Sequence, residues 1–393
     1  MGLDQGSLAN LIVVTVAIAV AAALPALLPR LPLPGAVLEI ILGAIVGPHI
    51  LGLAYPDAIV DFLSDFGLGM LFLMAGFEMD LAALRGRPIR NAAMGWVISA
   101  GIALYAVLLL VAVGLAQALV LTTLALCTTT IGLLIPILRD SQLIEPPYGP
   151  MALAAGAVGE AAPLFILPLA LAHQGGAEPQ ALIMVAFAMC AAFAVMLASH
   201  VSRGSFAAIV ARTMGTSGQL PMRLAICLLI LFIVLSHRFE IDLVLGAFVA
   251  GAVVRAALPA QQREAMAVRL DGIGSGFLVP IFFLTSGMRL NIGPLFNDPT
   301  ALAMIAVYAL IMLAGRGIPA LLLYARDLSR DQTVALALHS STQLPLVVAI
   351  AGIAAQRGHI PGNQAAALVA AAVVTVMIFP TLAALVLRKP ASS

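Results

Sequence analysis

Two ionisable side chains stand deep inside stretches that otherwise carry no charge. Glu160 lies near the centre of Tyr148 to Ala172 (YGPMALAAGAVGEAAPLFILPLALA), and Arg316 lies similarly inside Thr300 to Tyr324. A charge at the centre of a bilayer costs about 2.5–3.5 kcal/mol on insertion scales, so residues kept there serve an ion or proton pathway by default. The carboxylate can take a cation or a proton, whereas a guanidinium keeps its proton. Two hydroxyl clusters accompany the pair. Thr128, Thr129 and Thr130 precede Gly132 and Pro136 in CTTTIGLLIP; Ser340, Ser341, Thr342 and Gln343 precede Pro345 in HSSTQLPLV. Proline removes a backbone donor and clashes with the preceding turn, and clustered hydroxyls can bond the freed groups. Each cluster therefore reads as a broken helix, the alternative being a hydroxyl-rich packing stripe with a kink. Hydroxyls and bared carbonyls suit hard monovalent cations. At a rise of about 1.5 Å per residue, Glu160 lies about 18 Å from the start of its stretch and Arg316 about 15 Å from Arg326. Thr130 and Thr342 come out at about 14 and 18 Å by the same count, so all four share one level.

The elements that must carry these residues are membrane spans. The chain has 393 residues, 62% hydrophobic and only 9% charged, with a net charge of +1. Soluble domains carry about 25% charged residues. An all-α polytopic membrane protein follows, and the near-zero net charge argues against nucleic acid as a partner. Thirteen apolar segments are expected, at about 8–28, 34–50, 58–81, 91–115, 118–138, 148–172, 180–201, 219–236, 241–256, 270–288, 300–325, 331–354 and 361–387. Cys127, Cys190 and Cys227 fall inside such segments and read as small packing residues, with no disulfide or zinc spacing. The N-terminus has no basic region before its apolar run, so it reads as a retained span, not a cleaved signal. Only RKPASS follows Leu387, so residues 1–393 are expected to form a single transport domain with no C-terminal soluble regulatory domain.

Loop charges set the orientation. One set of connections holds Arg30, Arg85, Arg87, Arg90, Arg139, Arg203, Arg212, Arg223, Arg255, Arg263, Arg269, Arg326, Arg330, Arg388 and Lys389, which is 15 basic residues; the alternate set holds Arg238, Arg289 and Arg357. With positive residues inside, the N-terminus is expected outside and the C-terminus in the cytoplasm of a cell (inner) membrane. Three phrases also recur. Leu42-Gly-Ala-Ile-Val-Gly47 matches Leu245-Gly-Ala-Phe-Val-Ala-Gly251; Phe72 to Leu81 (FLMAGFEMDL) matches Phe283 to Ile292 (FLTSGMRLNI); Thr128 to Thr130 matches Ser340 to Thr342. The shifts are 203, 211 and 212 residues, and each pair is seven spans apart. An odd shift reverses direction through the membrane. This gives inverted repeats, about 34–172 and 241–387, with two broken helices meeting at mid-depth, an arrangement common to secondary transporters.

The phrases GAVLEIILGAIVGPHILGL and FGLGMLFLMAGFEMDL, a hydroxyl-rich span followed by PILRDSQLI, the acid in the sixth span and the later FFLTSGMRLNI together resemble the second monovalent cation–proton antiporter family, over about residues 8 to 387. The resemblance implies the sodium–proton antiporter fold, with a homodimer in which a mobile core moves against a dimerisation domain. Residue by residue it places Glu160 at the ion-binding acid, here for Na⁺ or K⁺. It places Arg316 at the buried, charge-compensating base, and Thr128 to Thr130 and Ser340 to Gln343 at the crossing of the broken helices. Gly159 departs from the pattern, where members usually carry Asn or Asp.

Other polar residues have plainer readings. Glu39 reads as a cap or interface pair, Glu78 and Asp80 as a helix end beside Arg85 and Arg87, and Asp61 and Asp65 as outer surface. His339 could sense pH as an accessory to the site, but the packed, hydrogen-bonded histidine is favoured. GIGSG at Gly272 to Gly276 reads as close packing at the start of a span, since no strand precedes it as a dinucleotide loop requires. The expected activity is exchange of one Na⁺ or K⁺ for one proton, with no cofactor beyond the transported ions and no nucleotide, because there is no phosphate-binding loop. An organic-anion carrier on a related fold, with Arg316 as the carboxylate site, and a cation channel are the alternatives. An intramembrane enzyme lacks its motifs.

Overall fold

The computed structural model describes residues 5–27, 34–78, 86–130, 147–171, 192–200, 218–239, 243–290 and 299–387, with a few single positions between them. The first helices are α1 (Gln5–Leu27), α2 (Gly35–Val46), α3 (Ala58–Glu78), α4 (Arg87–Ala112), α5 (Leu119–Leu126) and α6 (Tyr148–Leu171). After these come α7 (Leu220–Phe239), α8 (Leu243–Ala257), α9 (Ala260–Ile273) and α10 (Val279–Arg289). The last are α11 (Pro299–Tyr324), α12 (Arg330–Ser340), α13 (Pro345–Gln356) and α14 (Gly362–Leu387). Among the described residues eight helices are long and apolar enough to cross a membrane, and 35–46, 220–234 and 243–257 form shorter apolar helices. These eleven account for all the expected segments except the fifth and seventh, which are described only in part. A lipid environment offers no hydrogen-bond partners, so a spanning backbone must satisfy itself, and helices do so.

Local chemistry sets several boundaries. Gly86 precedes α4 at φ 79°, a left-handed conformation that a side chain would resist, and a proline follows in the first turn. Ser329 and Gln332 form a capping box at the start of α12. Asp57 Oδ1 accepts from the N–H groups of Ile59 and Val60 at 3.0 and 2.9 Å, opening α3. The expected span at 270–288 is corrected. Helix runs from Ala260 to Arg289, and Gly274–Leu278 form one π-helical turn inside it, so the GIGSG phrase starts nothing. Continuing the helix through the polar residues 260–271 keeps backbone groups paired that a new helix start would leave open.

Contacts divide the chain into two units, Met1–Pro56 with Leu81–Leu167 and Phe283–Ser393, and Asp57–Asp80 with Pro168–Phe282. Each contains a helix pair at backbone contact with glycines on both sides. In the first, Gly43 of α2 packs on the carbonyl of Leu284 in α10, and Gly287 of α10 on that of Ile40; a Cβ on either glycine would collide with that backbone. In the second, Gly251 of α8 packs on the carbonyl of Leu73 in α3, and Gly76 of α3 on that of Phe248. The two pairs follow one pattern. Gly43 and Ile40 correspond to Gly251 and Phe248 (a shift of 208), and Leu284 and Gly287 correspond to Leu73 and Gly76 (a shift of 211). The match of Leu42–Gly47 to Leu245–Gly251 at a shift of 203 is therefore five residues out. Contacts instead align Gly43-Ala44 with Gly251-Ala252. Glycine- and alanine-rich helices present several equivalent small steps, and only the facing backbone chooses among them.

Substituting these glycines separates close approach from helix propensity. Gly43→Val and Gly251→Val are expected to lower stability by about 1–3 kcal/mol or more through overpacking. An added methyl at Gly101 or Gly352 meets nothing within 4 Å, so Gly101→Ala and Gly352→Ala should be neutral or stabilising by up to about 1 kcal/mol. Thermal unfolding of the detergent-solubilised protein reads this, and equal losses at all four positions would count against the glycine seams.

Candidate functional site

The two hydroxyl clusters lie where helices stop. α5 ends at Leu126 and residues 128–130 are non-helical; α12 ends at Ser340, and 342–344 are non-helical before α13 begins at Pro345. Gly132 and Pro136 fall outside the described residues, whereas Pro345 opens α13, where its missing N–H costs least. The breaks cross and repair each other. Thr130 N–H donates to the Thr342 carbonyl at 3.2 Å, and Leu344 N–H donates to Thr130 Oγ1 at 3.2 Å. Thr128 Oγ1 donates to Gln343 Oε1 at 3.0 Å while Gln343 Nε2 donates to the Leu126 carbonyl at 3.2 Å. Thr129 Oγ1 donates to the Ser340 carbonyl at 2.6 Å. All seven cluster residues are buried.

The acid and the base join the same crossing. Glu160, on α6, is 5% exposed, and the carbonyl of Gly159 just before it accepts from Thr129 N–H at 3.2 Å. Arg316, on α11, is likewise 5% exposed. Its Nε donates to Thr129 Oγ1 at 2.8 Å and reaches the Ser340 carbonyl at 3.4 Å; Nη2 donates to the Ala155 carbonyl at 2.9 Å, and Nη1 reaches Ser99 Oγ at 3.4 Å. All four acceptors are neutral oxygens. One guanidinium thus ties α4, the α5 break, α6 and the end of α12 to α11. Buried charges are costly unless hydrogen-bonded, and this set of acceptors meets that requirement. Ser99, Tyr324 and Ser340 also line a cavity of about 10 Å³ beside the guanidinium, room for about one water.

Every predicted site residue is buried at or beside this crossing, though their roles divide. Ser341 Oγ and Thr342 Oγ1 donate back to the carbonyls of Ala337 and Leu338 at 2.7 and 3.2 Å, closing the end of α12. His339 is 2% exposed, and Nδ1 pairs with Tyr148 Oη at 2.8 Å, the packed and hydrogen-bonded role. Glu39 is half-buried within α2, Asp61 is half-buried in the first turn of α3, and Asp65 is exposed. Glu78 ends α3, where Arg255 donates to the Phe77 carbonyl at 3.0 Å, and Asp80 lies outside the described residues.

Sequence reading missed three buried polar supports. Ser99 accepts from Arg316. Thr375, on α14, bonds both the N–H and the carbonyl of Gln343 at 3.2 Å. Gln364 holds the entry to α5 through the Gln117 N–H at 2.9 Å and Thr122 Oγ1 at 3.0 Å. The available signal was an isolated polar residue within an apolar run, Ser99 in α4 and Gln364 and Thr375 in α14. A larger cavity, about 230 Å³, lies among Gly114–Gln117, the start of α11 and the start of α14, and holds none of the predicted site residues.

Crossed discontinuous helices bearing a buried acid and base define a class of polytopic membrane protein, and comparison with known proteins narrows it. The family model described as sodium/hydrogen exchanger, transmembrane, matches residues 15–389, and the chain belongs to that family. YjbQ of Bacillus subtilis, by name a Na⁺/H⁺ antiporter, is 30% identical over 394 residues, which cover 95% of this chain and 62% of YjbQ. The chain thus spans less than two thirds of that relative. The Na⁺/H⁺ antiporter NhaS4 of Synechocystis is 27% identical, with 79% of each chain covered. Among solved structures, the sodium proton antiporter MjNhaP1 of Methanocaldococcus jannaschii matches with a TM-score of 0.64 at 15% identity, covering 98% of this chain and 99% of its own. That likeness carries the fold.

The crossing can be tested directly. Cysteines replacing Thr130 and Thr342, with the native three removed, should cross-link with a short bifunctional reagent; failure in every transport condition would contradict the crossing. Thr129→Val should cost about 1–3 kcal/mol by leaving Arg316 and the Ser340 carbonyl each short of a partner, and Thr129→Ser should keep most of that stability in thermal unfolding.

Proposed function

We propose that this chain is a secondary active antiporter exchanging one monovalent cation, Na⁺ or K⁺, for one proton, with Glu160 as the single carboxylate that binds either. The observation that carries this reading is the position of Glu160: a buried acid one residue beyond the Gly159 carbonyl that Thr129 bonds at the crossing. Family membership and the named activities of YjbQ and NhaS4 support the reaction class. Hydroxyls and carbonyls of Thr128, Thr129, Thr130, Ser340, Ser341 and Thr342 would supply the other oxygen ligands, with Gln343 holding the two breaks in register. Cation and proton compete for one group, so occupancy by one excludes the other and the cycle couples the two gradients.

Position 159 is glycine, so it adds no second carboxylate, and Arg316 keeps its proton at any pH the cell reaches. With one titrating group, each cycle moves one charge each way and is electroneutral. The four neutral acceptors on Arg316 count against the organic-anion reading, because the guanidinium is already committed. The charge split of the loops supports an N-terminus outside and a C-terminus in the cytoplasm, and the family resemblance supports a homodimer in a cell (inner) membrane.

Reconstitution into liposomes with a pH-sensitive dye, adding Na⁺, K⁺ and Li⁺ in turn, tests the exchange. Glu160→Gln should abolish it while the protein still folds, and Glu160→Asp should keep part of it with altered cation affinity. Wild-type exchange in Glu160→Gln would sink the mechanism. Under a potassium–valinomycin clamp with Na⁺ as test cation, the rate should not respond to voltage; a robust response would mean that a second charge is carried.

A further inference from the structure

The place occupied by the Arg316 guanidinium exists because position 159 has no side chain. A Cβ on Gly159 would stand 2.6 Å from Arg316 Nη2 and 2.7 Å from both Cβ and Oγ1 of Thr129. Those separations are far inside van der Waals contact, about 3.5–4.0 Å between carbons. Any other residue there must displace the guanidinium, the threonine or both. Neither is loose. Arg316 Nη2 bonds the Ala155 carbonyl one turn earlier on α6, and Nε bonds Thr129 Oγ1. Thr129 is held in turn by the Gly159 carbonyl through its N–H and by the Ser340 carbonyl through its hydroxyl. The contacts close a ring through Gly159, Thr129, Ser340 and Arg316.

We propose that Gly159 is a positioning residue for the exchange: it seats the Arg316 guanidinium flat against α6 and the α5 break, and keeps it there through the transport cycle. The proposal rests on Glu160 as the cation and proton site. Seated on neutral oxygens, the guanidinium is a permanent strut and a fixed positive charge at the crossing. Cation and proton then compete for Glu160 in a constant field. A side chain at 159 that pushes the guanidinium aside changes that field and loosens the joint between α6 and the broken helices. Lysine at 316 has no Nη2 and ends in a single flexible ammonium, so it can yield to a Cβ where arginine cannot.

The experiment compares wild type, Gly159→Ala, Arg316→Lys and the double variant in liposomes across a pH series, with melting temperatures of the same detergent-solubilised proteins. Gly159→Ala should change apparent cation affinity at least five-fold, displace the pH profile and lower the melting temperature. In the Arg316→Lys background the same substitution should do little to either readout, giving strongly non-additive effects. Wild-type behaviour of Gly159→Ala, or equal losses in both backgrounds, would overturn the proposal. Should Gly159→Ala fail to fold alone, the double variant decides: recovery of folding supports the seat, and failure removes it. A wild-type protein that moves no cation against protons would defeat the reading of Glu160, while the melting comparison would still judge the seat.

Discussion

The structure depends on one constraint: backbone polar groups inside a bilayer have no solvent to bond, so a chain that interrupts its helices must supply the missing partners itself. Here two interruptions supply each other. The bond from Thr130 N–H to the Thr342 carbonyl and the Gln343 bridge to Leu126 and Thr128 each draw one partner from either half of the chain. Neither break could persist alone at that depth. Glu160 and Arg316 gather at the crossing because the same lack of solvent applies to them, and the crossing is where oxygen atoms are concentrated.

This economy explains why the site holds so many hydroxyls and amides and so little charge. Thr129 shows it most clearly, since its hydroxyl serves the Ser340 carbonyl and the Arg316 guanidinium together. A core that meets its polar needs through shared atoms gains cooperativity, because each bond orients the group that makes the next. It also concentrates risk. Loss of one shared hydroxyl leaves two groups short.

Much of this was legible in the chain, for physical reasons. Isolated charges in apolar stretches announce themselves, so Glu160 and Arg316 stood out. Hydroxyl runs ahead of proline marked both breaks, because few other purposes need three adjacent Ser or Thr residues inside a span. The partners of Arg316 were not legible: Ala155 and Ser340 act through carbonyls, which every residue possesses. Ser99, Gln364 and Thr375 were hidden by being single ordinary polar residues whose importance lies in what faces them. The matching glycine phrases were visible but set five residues out of register, since Gly43, Gly47, Gly246 and Gly251 look alike until a neighbouring backbone selects one. The long helix from Ala260 was missed because hydropathy marks membrane depth, and a helix can continue beyond it.

The glycine seams have a bearing on leakage. An exchanger is useful only if neither ion crosses without the other, and the weak places in a helical assembly are the grooves between helices, where a file of waters can carry protons. Where Gly43 and Gly287 bring α2 and α10 to backbone contact, and Gly76 and Gly251 do the same for α3 and α8, no such file fits. Seams this close leave no groove between the paired helices. They insulate by the absence of side chains, so a larger residue placed there would pry the joint open instead of filling it.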